Sequence, residues 1–320
     1  MAGVTPSPAV DLNGLVLPGP VMIASGCFGT GRELGAMFDR RGLGGIVSRS
    51  ITVNPRKGAP SPRLAETPSG FLSMVGLQNP GVNAFVADDL LHMASLGLPV
   101  FVSIAGSSVE EYIRLAAFLE AAPGVVALEV YLSCDDEELE GRPWLSRPDR
   151  AAEVAGAVAR RASVPVFAKL PAMTSGLLET AVACVRSGVH GLTLIDGVPA
   201  MGVEAASMRA ALGGATGYLS GPAVRPLALR AIYEVASALP EVPILGVGGV
   251  SSGTDAVEML LAGAWAVQVG TAVLVDPSVP ARVAKGISEY LGAKGLASPD
   301  AIRGRIRLPS PVVPGGEGAA

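Results

Sequence analysis

The sequence predicts an α/β fold, specifically a (β/α)8 TIM barrel, and three observations support that prediction. Eight strand-like apolar runs alternate with helical segments along the 320 residues, which is the order of a parallel βα fold. Hydrophobic residues make up 49% of the chain and charged residues 16%, so one large core is feasible. Glycine-rich loops follow the last two strands, where such barrels bind phosphate groups.

Apolar residues on both sides of Asn13-Gly14 predict a β-hairpin over residues 10–17 that plugs one end of the barrel. The first barrel strand is predicted at residues 21–24 and the second at residues 45–47. A long proline-rich excursion, residues 52–81, follows the second strand. Because this excursion is too long for a simple connection, we expect it to be functional.

The rest of the chain continues the alternation of strands and helices. Helices are predicted over residues 109–122 and 177–187 from their apolar periodicity. We expect a single barrel domain over residues 1–308 and a flexible tail over residues 309–320. The further strands are predicted at residues 99–104, 126–132, 164–170, 191–195 and 243–245, with an eighth that ends before Gly270.

Composition excludes several classes of function. The net charge of −4 and the absence of a basic run argue against nucleic acid and anionic membranes as partners. No apolar stretch reaches the roughly 18 residues of a membrane span, and no secretory signal is visible. Cys27, Cys134 and Cys184 are an odd number at no metal spacing, which fits free thiols in a reducing cytosol. With only His92 and His190, we expect no metal site and a cytoplasmic protein that acts on a small molecule.

Two glycine loops near the end of the chain are candidates for a phosphate site. Gly248 and Gly249 follow the seventh strand and lead through Ser251 and Ser252 into a helix, and Gly270-Thr271 follows the eighth. Glycine lets backbone N–H groups close on an oxyanion, and a helix N-terminus adds partial positive charge. The alternative is two ordinary strand-to-helix turns. Two adjacent glycine-rich loops favour the phosphate site.

In a barrel of this kind, chemistry takes place where the strands end. Lys169 is the charged residue at the end of one apolar run. A lysine there is either a cation that faces a ligand or half of a structural ion pair. Its position at the barrel mouth favours the ligand-facing role. The polar or reactive residues at predicted strand ends are Ser25, Arg49, Ser50, Ser103, Ser133, Cys134, Lys169 and Asp196.

Cys134 follows the fourth strand and precedes an acidic loop. The residues alone leave two roles open: a small buried hydrophobe, or a general acid or base beside a solvent-reached lid. Carboxylates in that loop would raise the pKa of the thiol, which suits a protonated donor.

A series of short motifs connects the chain to a known family. In order they are Asn13-Gly14-Leu15, Ala24-Ser25-Gly26, Ser50-Ile51-Thr52, Pro62-Arg63, Gly76-Leu77-Gln78-Asn79-Pro80-Gly81, Ser103-Ile104-Ala105-Gly106, Leu132-Ser133-Cys134, Lys169-Leu170-Pro171 and Leu219-Ser220-Gly221-Pro222-Ala223. The series resembles the class 1 dihydroorotate dehydrogenase family, which is soluble and FMN-dependent. The resemblance covers nearly the whole chain and identifies it as a divergent member.

The resemblance implies FMN at the barrel mouth. It implies that Lys169 lies near the N1/O2 edge of the flavin, where positive charge stabilises the reduced ring. Cys134 matches the residue that removes a substrate proton while hydride passes to flavin N5. The other flavin-binding positions that the resemblance implies are Ala24, Ser25, Gly26, Arg49, Ser50, Ser103 and Ile195 at the ring, and Gly221, Gly248, Gly249, Gly270 and Thr271 at the phosphate.

The substrate pocket departs from the family pattern. Four asparagines that bind orotate in the family are replaced here by Ser73, Tyr131, Asp136 and Asp196. An ionised aspartate only accepts hydrogen bonds, whereas an asparagine also donates them, so the pocket has lost donors. The substrate-binding positions that the resemblance implies are Arg49, in place of a family lysine, Ser73, Val75, Gly76, Leu77, Tyr131, Asp136, Asp196 and Gly197, in place of a family serine.

We therefore expect an FMN oxidoreductase that acts on a CH–CH or C=C bond next to a carbonyl of a small polar substrate other than dihydroorotate. Cys134 would transfer the proton and flavin N5 would accept or donate the hydride. The alternatives are a true dihydroorotate dehydrogenase of pyrimidine biosynthesis, a flavin-free phosphate-binding isomerase or lyase, and a catalytically silent flavoprotein. The resemblance also implies a homodimer, with a diffusible electron acceptor or a separate electron-transfer subunit.

Overall fold

A β-hairpin closes the amino-terminal end of the barrel, as predicted. The computed structural model describes residues 8–33, 37–120, 122–136, 142–171 and 176–309. In it, β1 (Val10–Asp11) pairs antiparallel with β2 (Val16–Leu17). The turn has positive φ at Asn13 (55°) and Gly14 (98°), the conformation of a tight hairpin. Leu17 is fully buried and packs in the cluster of apolar residues at the start of the barrel strands.

Eight parallel strands form the closed barrel in chain order, and the last pairs with the first through Val267 and Val21. The predicted α/β barrel is therefore confirmed, with strand ends that differ by one to a few residues from the expected bounds. The strands are mostly apolar on both faces because they are covered inside and outside. They are β3 (Val21–Ile23), β4 (Leu43–Val47), β7 (Val100–Ile104), β8 (Val125–Tyr131), β11 (Val166–Pro171), β12 (Gly191–Asp196), β17 (Ile244–Val247) and β18 (Ala266–Val269).

Helices surround the barrel. The predicted helix at 109–122 ends at Glu120, and residue 121 lies outside the described residues. The predicted helix at 177–187 ends at Arg186, shortly before Gly188 with its φ of 104°. The helices are α1 (Val82–Ala84), which continues through a π-helical turn (Phe85–Asp89) into α2 (Leu90–Ser95), then α3 (Val109–Glu120), α4 (Pro148–Arg161), α5 (Leu177–Arg186), α6 (Arg225–Ala238), α7 (Gly253–Ala262), α8 (Thr271–Val275) and α9 (Val279–Lys294), with 3-10 turns at Trp144–Ser146, Pro222–Val224 and Pro299–Ala301.

The excursion after β4 builds an accessory sheet with a second segment far along the chain. Its hairpin, β5 (Leu64–Thr67) and β6 (Gly70–Ser73), joins β13 (Val198–Ala200) and β16 (Gly217–Ser220) in the order β13-β16-β6-β5. The sequence did not predict this sheet, because its pairing joins short segments that are distant in the chain. Since β13 follows β12, the sheet stands at the carboxyl end of the barrel.

Two small antiparallel pairs complete the strands: β9 (Asp135–Asp136) with β10 (Arg142–Pro143), and β14 (Val203–Glu204) with β15 (Arg209–Ala210). None of the helices in the described part of the chain is long and apolar enough to cross a bilayer. The predicted boundary at residue 308 and the tail after it stay predictions, because residues 310–320 lie outside the described residues.

The hairpin plug gives a stability prediction. Leu17→Ala is expected to lower the free energy of unfolding by about 2–5 kcal/mol, because it leaves a cavity in a fully buried cluster. The matched control is Val16→Ala, whose side chain is 61% exposed and whose loss should cost no more than about 0.5 kcal/mol. Urea unfolding followed by circular dichroism measures the free energy of unfolding of both variants. Equal losses in Leu17→Ala and Val16→Ala would contradict the packing of the hairpin into the end of the barrel.

Candidate active site

The lysine at the end of β11 is buried between two carboxylates. Lys169 is 5% exposed, and its Nζ lies 3.6 Å from Glu129 Oε1 and 3.9 Å from Asp196 Oδ1. Burial lowers the pKa of Lys169, but the two carboxylates raise it by more, so the net shift is upward. Lys169 is therefore a cation that is ion-paired and also placed at the barrel mouth.

Glu129 belongs to a polar layer inside the barrel that sequence reasoning missed. Its side chain is fully buried, and its Oε2 accepts hydrogen bonds from Thr193 Oγ1 (3.0 Å) and Gln268 Nε2 (3.3 Å). Both hydrogen bonds and the nearby Lys169 cation offset the cost of burying this side chain. A signal was present, since Glu129 is the one charged residue in the apolar run of β8 (VVALEVY).

Cys134 lies just after β8 with its thiol turned into the protein. The residue is 9% exposed, and its Sγ lies 3.1 Å from the Tyr112 hydroxyl and 3.4 Å from the carbonyl oxygens of Gly106 and Tyr131. Burial raises the pKa of the Cys134 thiol to about 11, so it is protonated at neutral pH. The expected direction is confirmed, but the main cause is burial. Its predicted lid overlaps residues 137–141, which lie outside the described residues.

Tyr131, Asp196 and Tyr218 form one group beside Lys169. Burial raises the pKa of Tyr131, and the neighbouring Asp196 carboxylate raises it further. Asp196 Oδ2 is buried and accepts no hydrogen bond from the described residues, so it is available to a ligand. A Cβ on Gly197 would lie 2.7 Å from Tyr218 Cβ, so the glycine is what admits this ring. Sequence reasoning missed Tyr218, which no local motif marks.

The predicted phosphate residues converge from three loops. Gly221, Gly248 and Gly249 have positive φ values of 93°, 125° and 75°. A Cβ on Gly249 would lie 2.9 Å from Gly221 O, and a Cβ on Gly221 would lie 3.5 Å from Thr271 Cγ2. The loops are thus in van der Waals contact, and glycine is required for that approach.

Backbone donors are available at these loops. Within the described residues, the N–H groups of Gly248, Gly249, Gly270 and Thr271 donate to no protein acceptor, although all four residues are only partly exposed. Unpaired N–H groups gathered in a concave site are suited to an oxyanion.

The helix N-terminus contributes less than expected. The N–H groups of Ser251 and Ser252 both donate to Asp255 Oδ2 at 2.9 Å, and Asp255 is ion-paired with Arg225. The first turn of α7 is therefore satisfied by its own carboxylate, as in other capping boxes. The glycine loops, rather than the helix end, supply the free donors.

Serine hydroxyls at the barrel mouth are paired with the protein itself. Ser25 Oγ donates to Ser48 O at 2.8 Å, and Ser50 Oγ and Ser103 Oγ share a hydrogen bond of 2.9 Å. These contacts connect the ends of β3, β4 and β7.

Backbone at the end of β3 meets the end of β18. Ala24 N–H donates to Val269 O at 2.9 Å, and a Cβ on Gly270 would lie 3.5 Å from both Ala24 Cβ and Cys27 Sγ. Gly26 is exposed with a φ of 80°, and Ile195 at the end of β12 is buried. The structure thus gathers the predicted ring-binding residues at the carboxyl end of the strands.

Two arginines line an open cavity of about 330 Å3 beside this mouth. Neither the Arg49 nor the Arg56 side chain forms a hydrogen bond or an ion pair with a described residue. Arg56 is close enough to Cys134 to lower the pKa of the thiol. Sequence reasoning named Arg49 but missed Arg56. The lining residues are Thr30, Arg49, Arg56, Gln78, Asn79, Pro80 and Asp89.

The remaining predicted substrate residues lie on the accessory sheet and its neighbouring loops. Ser73 pairs with Tyr218 across β6 and β16, which brings it near the group around Asp196. Residues 75–77 lead into the lining of the arginine cavity, and the Asn79 side chain fixes that segment by accepting from Gly81 N–H at 2.8 Å. Asp136 pairs through its backbone in β9, and its side chain lies outside the described residues.

Comparisons with known proteins give one consistent family. The family model described as dihydroorotate dehydrogenase matches residues 8–291. A protein from Desulforudis audaxviator is 44% identical over 288 residues, which cover 90% of this chain and 94% of the relative. A protein from Geotalea daltonii is 40% identical over 303 residues, which cover 95% of this chain and 99% of the relative. A protein from Anoxybacillus flavithermus is 41% identical over 288 residues, which cover 90% of this chain and 92% of the relative. All three are named dihydroorotate dehydrogenase B (NAD(+)), catalytic subunit.

The buried ion pair gives a testable prediction. Glu129→Gln is expected to lower the free energy of unfolding by about 3 kcal/mol, because Lys169 would lose one of two counter-charges in the barrel interior. Glu289→Gln is the control, since its pair with Lys285 is exposed and should contribute at most about 1 kcal/mol. Chemical unfolding measures the free energy of unfolding of both variants. An unchanged free energy of unfolding in Glu129→Gln would contradict a stabilising role for this ion pair.

Proposed function

Because this chain belongs to the dihydroorotate dehydrogenase family, it is a flavin-dependent oxidoreductase that acts on CH–CH donors, and we propose that its flavin is FMN and its substrate is not dihydroorotate. The cofactor proposal rests on the fit of the site. Converging glycine loops with unpaired N–H groups match a terminal phosphate, and a buried cation at Lys169 matches the electron-rich edge of a flavin ring. FMN would supply the hydride acceptor or donor.

The protein's own residues have separate tasks in this proposal. The N–H groups of Gly248, Gly249, Gly270 and Thr271 bind the phosphate, and Lys169 holds positive charge at the ring. The backbone from Ala24 to Gly26, the residues Arg49, Ser50, Ser103 and Ile195, and Gly221 complete the flavin site.

Cys134 moves the substrate proton in this proposal. Its thiol is protonated at neutral pH, so it is ready to donate a proton to carbon when an activated C=C bond is reduced. For oxidation of the corresponding CH–CH bond, it must first lose that proton. A carbonyl next to the reacting bond is required in either direction because it acidifies the carbon.

The proposal of a different substrate rests on Asp196. Its carboxylate stands at a position where family members carry an amide, and its Oδ2 is a buried acceptor without a partner in the described structure. An anionic acceptor cannot replace the donor half of an asparagine. Tyr131 and Tyr218 occupy the adjoining space with aromatic rings. A substrate that presents N–H or O–H donors to Asp196 satisfies this site.

A true dihydroorotate dehydrogenase is the second candidate, and two observations favour it. The relatives with that name cover nearly the whole chain at about 40% identity. The cavity with Arg49 and Arg56 also suits a carboxylate, which dihydroorotate carries. In this candidate the arginines would replace the binding energy that the lost amides supplied.

The relatives' names describe a catalytic subunit, so we propose that this chain passes electrons to a separate electron-transfer subunit. We also propose that two copies of this chain form a homodimer. Cys27, Cys134 and Cys184 are all free thiols, as expected of a protein in a reducing cytoplasm.

Turnover of dihydroorotate separates the two candidates. FMN-loaded protein and the Desulforudis audaxviator relative are assayed side by side with a dye as electron acceptor. We expect kcat/KM roughly a hundredfold lower for this chain, since an acceptor of Asp196 that dihydroorotate leaves without a hydrogen bond costs about 1–3 kcal/mol of binding. Asp196→Asn combined with Tyr131→Asn should raise it, whereas Glu204→Gln at an exposed site should not. Equal kcat/KM for the two wild-type proteins would establish the second candidate.

The cofactor proposal has its own test in Gly249→Ala. A side chain there meets Gly221 O at 2.9 Å and strains a residue with a φ of 75°, so the Kd for FMN should rise roughly tenfold or more. The Kd for riboflavin, which lacks the phosphate, should change little. Gly295→Ala is the matched control, with a φ of 66° but open space around it. Fluorescence titration measures all of these affinities, and no preference for FMN over riboflavin in the wild type would refute the phosphate site.

A further inference from the structure

The Cys134 sulfur lies among oxygen atoms of the tyrosine side chain and of the backbone. Three oxygen atoms lie within hydrogen-bonding distance of Sγ among the described residues: Tyr112 Oη at 3.1 Å, and Gly106 O and Tyr131 O at 3.4 Å. The two carbonyl oxygens only accept. Of these three oxygen atoms, Tyr112 Oη is the one that carries a proton it can donate to a negatively charged sulfur. Backbone hydrogen bonds at Gly106 and Cys134 also lower the pKa of the thiol, but the backbone cannot rotate in response to a change of charge.

The Tyr112 hydroxyl has two partners and one proton. Its Oη lies 2.5 Å from Tyr131 O and 3.1 Å from Cys134 Sγ. Because a carbonyl cannot donate, the phenol proton points to Tyr131 O while Cys134 is a thiol. The S–H proton can then be donated to the carbonyl oxygens of Gly106 and Tyr131 or to the phenol oxygen. Rotation about the C–O bond of Tyr112 would redirect the phenol proton to Sγ.

We propose that Tyr112 is a positioning residue for proton transfer: its hydroxyl donates to Tyr131 O while Cys134 is a thiol and turns to donate to the sulfur when Cys134 becomes a thiolate. This inference rests on the proposed role of Cys134. Without the turn, loss of the thiol proton would leave a buried negative charge against two carbonyl oxygens, which is costly. With it, the charge on sulfur gains a charge-assisted hydrogen bond. Tyr112 passes no proton onward, because Tyr131 O cannot accept one permanently, so the proton of Cys134 exchanges with substrate or solvent.

The packing around Tyr112 fixes the hydroxyl in place. The ring is fully buried on α3 and meets the Trp144 ring edge to face, with centroids 5.9 Å apart. Trp144 Nε1 donates to Gly106 O at 3.1 Å, which holds that carbonyl beside the sulfur. Trp144 N–H also donates to Cys134 O at 3.2 Å. Rotation of one O–H bond is then the simplest response to a change of charge on sulfur.

Other charged and titratable groups face this sulfur from neighbouring elements. Arg56 from the excursion lowers the pKa of Cys134, as does the Tyr112 hydroxyl, while burial raises it by more. The Tyr131 phenol is close enough for Cys134 to contribute to its raised pKa, after burial, Asp196 and Tyr218. Asp135 and Asp136 follow Cys134 in the sequence. Arg56 acts through its charge, and the backbone hydrogen bonds at Gly106 and Cys134 have fixed directions. Among the described residues, Tyr112 is therefore the donor near this sulfur that can rotate when the protonation of the thiol changes.

The test measures the pH dependence of Cys134 alkylation in the FMN-loaded protein without substrate. Iodoacetamide labels the protein, and mass spectrometry resolves the Cys134 peptide from those of Cys27 and Cys184. In Tyr112→Phe we expect the midpoint of the pH profile to rise by about one unit and the rate at pH 8 to fall roughly tenfold. Tyr290→Phe, on α9, is the matched control and should change neither.

The outcome that overturns the proposal is an unchanged or faster alkylation of Cys134 in Tyr112→Phe. A merely structural tyrosine would give that result, because its loss loosens the loop and exposes the thiol. Should Tyr112→Phe unfold, 3-fluorotyrosine at position 112 keeps the ring and makes a stronger donor, so the midpoint should then fall. A fluorotyrosine protein with an unshifted midpoint would equally refute the proposal.

Failure of this inference is distinguishable from failure of the proposed function. Alkylation reports the hydrogen bond on sulfur and needs no turnover. Turnover by Cys134→Ser, measured with the substrate identified for the wild type, reports whether the thiol transfers a proton. Undiminished turnover in Cys134→Ser would remove the catalytic role of the thiol and, with it, the role of Tyr112 in proton transfer.

Discussion

A single buried cation determines how this barrel is organised. Lys169 stands where the packed interior ends and the mouth begins, and it is tolerated there because Glu129 and Asp196 flank it. Glu129 in turn depends on Thr193 and Gln268. Below this layer the interior is apolar and closed by the hairpin. Above this layer, at the barrel mouth, Asp196 is partly exposed and available to a ligand.

The two carboxylates around Lys169 have different roles. Glu129 is wholly enclosed and secures the charge, whereas Asp196 faces the mouth and has an oxygen without a partner among the described residues. Asp196 therefore couples the cation to whatever occupies the space above it. Gly197 and Tyr218 belong to the same arrangement, since the ring packs where a side chain on Gly197 would lie. These residues lie together on the side of Lys169 where the substrate is proposed to bind.

The glycine loops that are predicted to bind phosphate lie beside a helix end that is already capped. Positive φ at Gly221, Gly248 and Gly249 brings three loops into contact, and side chains at these positions would separate them. Asp255 satisfies the end of α7 and is itself balanced by Arg225. The free donors are thereby limited to the glycine loops. Charge at the site is balanced locally, so an anion there meets N–H groups and no unpaired carboxylate of the capping box.

The sequence by itself determined the barrel, its eight strands, the plug, the glycine loops and Lys169, because apolar periodicity and strand-end position are local properties of the chain. The departures at Tyr131 and Asp196 were also visible there. Only the tertiary structure decided the accessory sheet, the contact of Tyr112 with Cys134, and the places of Tyr218 and Arg56 beside the site. These depend on pairings between distant segments, and a local pattern cannot specify which distant residue a side chain will meet.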